Sequence, residues 1–235
     1  MTVDLLYRWP ASAHFGRVVP KSKFYEHGKV TTAVREKFVA EVQRITWAYK
    51  LADSTIHLRG SDDVPEIQVF VLDAKDDDVS DSVLIAIDKA VQFPIIFEVR
   101  RCGADNARTR MAVAHKQLSG AKAHLTGYFS TEWMPPDAER SPLPTSLDLP
   151  GLYTALIAPL LPLAPRPGEP LVDTAARVQD ARKLEREIST LERRLRNEPQ
   201  FNRKIELRRQ LQRSVATLDA LTSQARPIVD EGVAK

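Results

Sequence analysis

Three ionisable residues on predicted strands, Glu66, Glu98 and Lys116, have the types that metal-dependent phosphodiester chemistry uses. A divalent-metal nuclease needs two or three carboxylates near Mg²⁺ and a lysine that stabilises negative charge. The triplets at 66–68 (EIQ) and 98–100 (EVR) are degenerate forms of the acidic-x-lysine element of restriction-type nucleases. Neither ends in lysine, and the sequence does not make evident the aspartate required on a preceding adjacent strand. The same residues facing each other across strands would form ordinary surface ion pairs.

The rest of the sequence carries no catalytic or metal-binding signature. It contains no glycine-rich phosphate loop and no GxSxG, HExxH or CxxC motif. Its one cysteine, Cys102, and five scattered histidines do not form a zinc-ligand pattern. We therefore expect no metal site and no cofactor, with Mg²⁺ required only under the nuclease interpretation.

Basic residues alternate with aromatic residues near the N-terminus, in a segment that contains Arg17, Lys21, Lys23 and Tyr25. Such a mixture is typical of surfaces that clamp a phosphate backbone and stack a base. The alternative is that the aromatic residues pin an N-terminal arm to the core. The sequence leaves both interpretations open.

Two stretches after residue 170 repeat apolar residues at every third or fourth position, with Pro199 between them. The repeats are Leu184, Ile188, Leu191 and Leu195, then Leu207, Leu211, Val215, Leu218 and Leu221. Because this spacing places one apolar stripe on each helix, it predicts an antiparallel coiled-coil hairpin over residues 171–226. The two stripes are expected to pair with each other.

The outer surface of this predicted hairpin is rich in arginine. The candidate contacts for nucleic acid or a protein partner are Arg193, Arg194, Arg203, Lys204, Arg208 and Arg209. These arginines exceed what solubility needs, and they suit phosphate groups or an acidic protein surface. The alternative is a solvated helix with internal pairs such as Glu192 with Arg196.

The near-neutral total charge of +3 hides a segregation of charge along the chain. Residues 1–50 and 171–226 each carry a net +5, and residues 51–94 carry a net −7. Since separate blocks create local potentials, the small total does not exclude a polyanionic partner. The composition excludes a wholly disordered chain and a disulfide-stapled mini-protein.

The predicted elements indicate an α+β fold with a largely antiparallel sheet and two to three packed helices. Helices are expected over 32–50 and about 80–91, and strands over 65–72, 94–101, 108–116 and 122–133. We divide the chain into an α+β domain at 1–134 with an irregular N-terminal arm, a proline-rich connector with a short apolar helix at 135–170, the hairpin at 171–226 and a flexible tail at 227–235.

Cellular placement follows from what the N-terminus and the cysteine content indicate. The N-terminus lacks a basic region followed by a long apolar run, so no secretory signal is expected. The most apolar stretch, 152–164, is too short to span a bilayer and contains Pro159 and Pro162. A single cysteine suits a reducing compartment, and we predict a cytoplasmic protein with no membrane partner.

Several segments together resemble a bacterial family, domain of unknown function 4391. They are WP at 9–10, FG at 15–16, PKxKxYEH at 20–27, VPEIQ at 64–68, FPIIFE at 93–98 and QFNRKxEL at 200–207. The resemblance implies genes placed beside helicase-like ATPases and DNA methyltransferases in restriction or anti-phage islands. It therefore implies a class of partner and carries over no catalytic residues.

These observations lead to one main hypothesis about function. The chain is a non-enzymatic accessory subunit of a DNA-acting restriction or defence complex, which docks to a helicase-like ATPase or methyltransferase and contacts DNA through basic surfaces. The alternative is a divergent Mg²⁺-dependent nuclease that uses Glu66, Glu98 and Lys116. A third hypothesis is a structural protein that self-associates through residues 171–226.

Overall fold

A computed structural model describes residues 3–27, 30–101, 103, 107–119 and 122–223 of the chain. Contacts between Cα atoms divide the chain into two compact units, Met1–Pro162 and Leu163–Lys235, which we call the sheet unit and the hairpin unit. The predicted connector at 135–170 is thus shared between the two units. Cys102 and the predicted tail at 227–235 lie outside the described residues.

The sheet unit contains a six-stranded sheet and a separate two-stranded one. The strands are β1 (His14–Val18), β2 (Val42–Leu51), β3 (Ile67–Ala74), β4 (Ile95–Arg101), β5 (Arg108–Val113), β6 (Lys116–Ser119), β7 (Lys122–Leu125) and β8 (Phe129–Ser130). The order is β1-β2-β3-β4-β5-β8, and β6 pairs with β7. The β3–β4 pair is parallel, and the other pairs are antiparallel. The predicted α+β class with a largely antiparallel sheet is confirmed.

The chain also forms helices in both units. They are α1 (Lys21–His27), α2 (Thr32–Glu41), α3 (Asp53–Ile56), α4 (Asp81–Ala90), α5 (Leu149–Ile157), α6 (Leu171–Asn197) and α7 (Phe201–Thr222), with short 3-10 turns at Ala11–Ala13 and Ala158–Leu160. The predicted irregular N-terminal arm therefore contains β1 and α1, and the predicted strand at 122–133 is divided between β7 and β8. Within the described part of the chain, no helix combines the length and apolarity needed to cross a membrane.

The prediction of one helix over 32–50 is wrong, because the helix ends at Glu41 and β2 begins at Val42. Buried residues in β2 recur at every third position, namely Val42, Ile45, Ala48 and Leu51. Two register shifts against β3 produce this period, since each bulge inserts an extra residue and changes which side chains face the core. A bulged strand therefore reproduced the spacing of a helix.

One face of the large sheet, which we call the helix face, carries the main core. Phe70 on β3 and Phe97 on β4 lie opposite each other in register and are fully buried there. Phe24, Phe38 and Ile87, from α1, α2 and α4, pack into the same cluster. Burial of side chains of this size, at about 1.5–3 kcal/mol each, stabilises the layer of helices on the sheet.

The hairpin unit consists of α6 and α7, joined by the turn at 198–200. The predicted helical hairpin is confirmed. The partly or fully buried stripe of α7 contains Leu207, Leu211, Ser214, Leu218 and Leu221. Val215, predicted to lie in that stripe, is 39% exposed, and the neighbouring residue Ser214 takes its place and donates to Glu187 at 3.3 Å.

Arg177 connects the two helices at the base of the hairpin. Its guanidinium donates to Glu169 at 2.8 Å, to the carbonyl of Ala164 at 2.8 Å and to the carbonyl of Leu221 at 3.0 Å. The hydrogen bond from Arg177 is the main cause that lowers the pKa of Glu169 to about 2. Because this folded-state pKa lies below the unfolded value of about 4.3, the pair stabilises the unit above that pH and less as the pH falls towards 2.

We predict that Arg177→Met loosens the base of the hairpin by about 1–3 kcal/mol, because it removes both side-chain hydrogen bonds from Arg177 to Glu169 and its bonds to the carbonyls of Ala164 and Leu221. Hydrogen exchange at the last turn of α7 measures this loss as faster exchange. Lys183→Met, which removes an exposed charge from the middle of α6, is the matched control. Equal exchange in the two variants at neutral pH would contradict the assignment.

Candidate functional site

The face of the sheet opposite the helix face presents two exposed arginines, and we call it the arginine face. Arg44 on β2 lies opposite Asp73 on β3, and Asp73 lies opposite Arg100 on β4. Glu98 lies two residues before Arg100 and therefore on the same face. Asp73 is the acidic residue on a strand adjacent to Glu98 that the sequence did not make evident, because the predicted strand ended at residue 72.

Glu98 is fully buried and surrounded by donors. Arg140 donates to its two carboxylate oxygens at 2.7 and 3.1 Å, Trp9 Nε1 donates at 2.6 Å, and Arg100 donates at 3.3 Å. Burial acts to raise the pKa of Glu98, but the hydrogen bonds and charge of Arg140, the hydrogen bond from Trp9 and the charge of Arg100 together outweigh it, so the net pKa is lowered. Glu98 is therefore a buried carboxylate whose ionised form is stabilised by the surrounding donors.

Arg140 also fixes the N-terminal segment over this face. It donates to the carbonyl of Tyr7 at 2.7 Å, and the main chains of Tyr7 and Ser141 form a parallel bridge. The Arg8 amide donates to the Ser141 carbonyl at 2.8 Å. Glu98 and Arg140 thus join three segments that are far apart in the sequence.

Lys116 lies in a different cluster, at the end of α4. It is buried, and it donates to the Asp88 carboxylate and to the carbonyl of Phe93, both at 3.1 Å, and also to the carbonyl of Val91. Tyr128 donates to the other carboxylate oxygen of Asp88 at 2.8 Å. Burial raises the pKa of Asp88 and lowers that of Lys116. Lys116 therefore caps the C-terminus of a helix.

Glu66 occupies a third position. It pairs with Lys50 at 2.8 Å and accepts from the Gln68 side chain at 2.6 Å. Lys50 and Gln68 lie opposite each other on the helix face, whereas Glu98 lies on the arginine face. The structure therefore does not bring Glu66, Glu98 and Lys116 together. Over the described ranges, no group of three or more acidic, histidine or cysteine side chains is placed to hold a metal ion.

The basic and aromatic cluster near the N-terminus is divided between structural and exposed residues. Lys21 donates to the carbonyls of Phe38 and Val42 and so caps α2. Tyr25 packs edge-on against Phe38 at 5.4 Å between ring centroids, beneath the guanidinium of Arg35. Arg17 and Lys23 are exposed, and Lys23 pairs with Glu26 at 3.5 Å.

The turn end of the hairpin, residues 192–209, collects the basic residues predicted there, and we call it the hairpin tip. It contains seven basic and three acidic residues, a net charge of +4. Its arginines, Arg193, Arg194, Arg196, Arg203, Arg208 and Arg209, are all exposed, and Lys204 is half-buried. The Glu192–Arg196 pair of the alternative interpretation does not form. None of these seven residues makes an ion pair with a carboxylate of the described chain.

An exposed aromatic residue lies beside these charges. Phe201, the first residue of α7, is 73% exposed although it is large and apolar. The side chain of Glu198, the acidic residue of the turn, accepts a hydrogen bond from the backbone N–H of Gln200 at 3.0 Å and so closes the turn. The tip therefore offers cationic groups around a bare aromatic ring. The sequence predicted the charges of the tip.

The comparisons with known proteins place the chain in a family. No curated protein and no solved structure matches the chain significantly. One family model, described as Domain of unknown function (DUF4391), matches residues 8–218, a range that covers most of each unit. It covers Glu98 and Arg140 of the arginine face and the whole hairpin tip. The chain therefore belongs to the DUF4391 family.

Proposed function

We propose that the protein is a non-enzymatic accessory subunit of a DNA-acting bacterial restriction or anti-phage complex, and that the hairpin tip is its docking surface. The partners are a helicase-like ATPase or DNA methyltransferase of the same system, with DNA as a further contact. The single observation that carries this proposal is the set of six exposed tip arginines without a carboxylate partner in the described chain.

Physical reasoning favours a polyanionic or acidic partner at the tip. Arginines that form no internal pairs keep all their donors for a ligand, and their guanidinium groups fit phosphate and carboxylate oxygens in pairs. Phe201 adds an apolar surface on which a base can stack or a partner side chain can pack. The helix α6 is about 40 Å long, and the tip lies at its C-terminal end.

The nuclease alternative finds less support in the geometry. Glu98 is held by Arg140, Trp9 and Arg100, Glu66 lies on the other face, and Lys116 is bound to Asp88 and helix carbonyls. A catalytic carboxylate must reach a metal and a substrate, so a group already saturated with internal donors is poorly placed for that role.

We predict that four substitutions at the tip, Arg193→Gln, Arg194→Gln, Arg203→Gln and Arg208→Gln together, abolish capture of the partner from the native host. Binding to duplex DNA is expected to fall at least tenfold, and the slope of log K against log salt to decrease by about 3–4, because each lost phosphate contact removes close to one counterion. Pull-down and salt-dependent fluorescence anisotropy measure the two effects.

The control removes the same charge from the sheet unit, through glutamine at the exposed residues Arg8, Lys37, Arg59 and Lys89. If this control loses as much partner capture and DNA affinity as the tip variant, net charge explains the binding and the tip has no special role. If the tip variant keeps both partner capture and DNA affinity, the proposal fails.

A further inference from the structure

A pocket of about 340 Å³ opens on the arginine face of the sheet unit. None of its lining residues belongs to the hairpin tip, which is the proposed docking surface. Its polar lining comes from His14, Arg44, Thr46, Tyr49 and Arg100. The side chains of Arg44 and Arg100 are 60% and 43% exposed, so a ligand can reach them. A pocket of this volume suits a small molecule of nucleotide size.

Arg44 and Arg100 each have guanidinium donors that are not used in their ion pairs. Arg44 directs Nε and one terminal nitrogen to a single oxygen of Asp73, at 2.8 and 2.7 Å. Arg100 uses one nitrogen on Glu98 at 3.3 Å. The remaining guanidinium nitrogens have no acceptor among the described residues. Asp73 and Glu98 thus orient the arginines and leave donors for an incoming anion.

The charge around the pocket favours an anion. Arg44, Arg100 and Arg140 place three guanidinium groups around two carboxylates, those of Asp73 and Glu98. One positive charge is therefore uncompensated on a partly enclosed surface, where electrostatic attraction is stronger than in bulk water. The Thr46 hydroxyl makes no hydrogen bond within the described chain and adds a neutral donor.

Aromatic groups form another part of the wall. The His14 ring packs edge-on against Tyr49, with 5.6 Å between ring centroids. Gly16 makes this placement possible, because its φ of 66° and its lack of a Cβ let the His14 ring lie over it, where a Cβ would come within 2.7 Å. Flat π-surfaces next to guanidinium groups match a base that carries a phosphate.

We propose that this pocket binds a phosphate monoester of nucleotide size, with Arg44 and Arg100 on the phosphate and His14 and Tyr49 beside the base. The ligand is either a free nucleotide or the 5′-phosphorylated end of a nucleic acid strand. This inference goes beyond the docking role, because it uses no residue of the hairpin tip.

Titration calorimetry with the full chain tests it, using deoxyadenosine 5′-monophosphate and, as the neutral counterpart, deoxyadenosine. We expect the monophosphate to bind and deoxyadenosine to bind at least tenfold more weakly. Arg100→Gln is expected to weaken binding of the monophosphate by about ten- to hundredfold, since a charge-assisted contact is lost. Arg59→Gln, an exposed arginine of the same unit outside the pocket, is expected to have no effect.

The source of the phosphate is distinguished by two single-stranded oligonucleotides that differ only in a 5′-phosphate. A preference for the phosphorylated strand that Arg100→Gln removes identifies a strand end, and binding of the free nucleotide without that preference identifies a mononucleotide. If neither the nucleotide nor the 5′-phosphate is recognised, or if Arg59→Gln weakens binding as much as Arg100→Gln, the proposal is overturned.

A second variant covers the case in which Arg100→Gln does not fold. Arg44→Gln combined with Asp73→Asn removes an ion pair together with its partner, so no charge is left buried alone. The hairpin-tip variant should leave binding of the nucleotide unchanged. Failure of the docking proposal and failure of the pocket proposal are therefore separate results.

Discussion

Lys116→Met is expected to lower the free energy of unfolding of the sheet unit by about 3–5 kcal/mol. The variant leaves Asp88 buried without its cationic partner, so Asp88 must either stay charged in the core or take up a proton at a cost in free energy. Lys116 and Asp88 are both fully buried side chains, and Lys116 also satisfies the carbonyls at the end of α4. Methionine keeps most of the length of the side chain and removes its donors. Urea unfolding followed by circular dichroism measures the loss.

The control for this prediction is Lys89→Met, which removes an exposed lysine from the same helix and should change stability by no more than about 0.5 kcal/mol. The double variant Lys116→Met with Asp88→Leu is expected to recover part of the loss, since no buried charge then remains alone. If Lys116→Met is as stable as Lys89→Met, Lys116 does not stabilise the C-terminal end of α4.

The class of the fold follows from patterns that are local in the sequence. Alternation in the segments that became β3, β4 and β5 predicted strands, and the repeats of the hairpin predicted α6 and α7. β2 was missed because two bulges gave its buried residues a period of three. Bulges depend on pairing with a distant strand, so the spacing of residues within β2 does not reveal them.

The chemistry of the charged residues was harder to predict for a similar reason. Lys21 and Lys116 have residue types that bind phosphate or support catalysis, yet both donate to carbonyls at helix ends. Their acceptors lie 17 residues or more away in the chain, and no local pattern marks them. The hairpin tip was predictable, because its charges and its turn are adjacent in the sequence and need no distant partner.

Arg140 shows the largest gap between what the sequence indicated and what the structure contains. It lies in a proline-rich segment predicted to be a connector, and no periodicity marks it. In the structure it places two charge-assisted hydrogen bonds on Glu98 and a third on the Tyr7 carbonyl. The segment around it is therefore part of the sheet unit, and this gives a second strong prediction.

Arg140→Met is expected to destabilise the sheet unit by about 3–5 kcal/mol at neutral pH, because Glu98 stays buried with only Trp9 and Arg100 as donors. The double variant Arg140→Met with Glu98→Met should regain part of this loss. Arg59→Met, an exposed arginine of the same unit, should match the wild type within about 0.5 kcal/mol. Chemical unfolding at several pH values provides all three measurements.

The pH dependence gives the sharper test. In the wild type the pKa of Glu98 is lowered, so its contribution is present above the unfolded value of about 4.3 and is lost as the pH falls below it. Without Arg140, we expect burial to outweigh the remaining effects of Trp9 and Arg100 and to raise the pKa of Glu98, so the variant should lose stability as the pH rises through the unfolded value. The difference in stability between wild type and Arg140→Met should therefore be large at neutral pH and shrink as the pH falls through the acid range. A difference that stays constant with pH would mean that Arg140 acts through packing alone, since packing does not depend on the ionisation of Glu98.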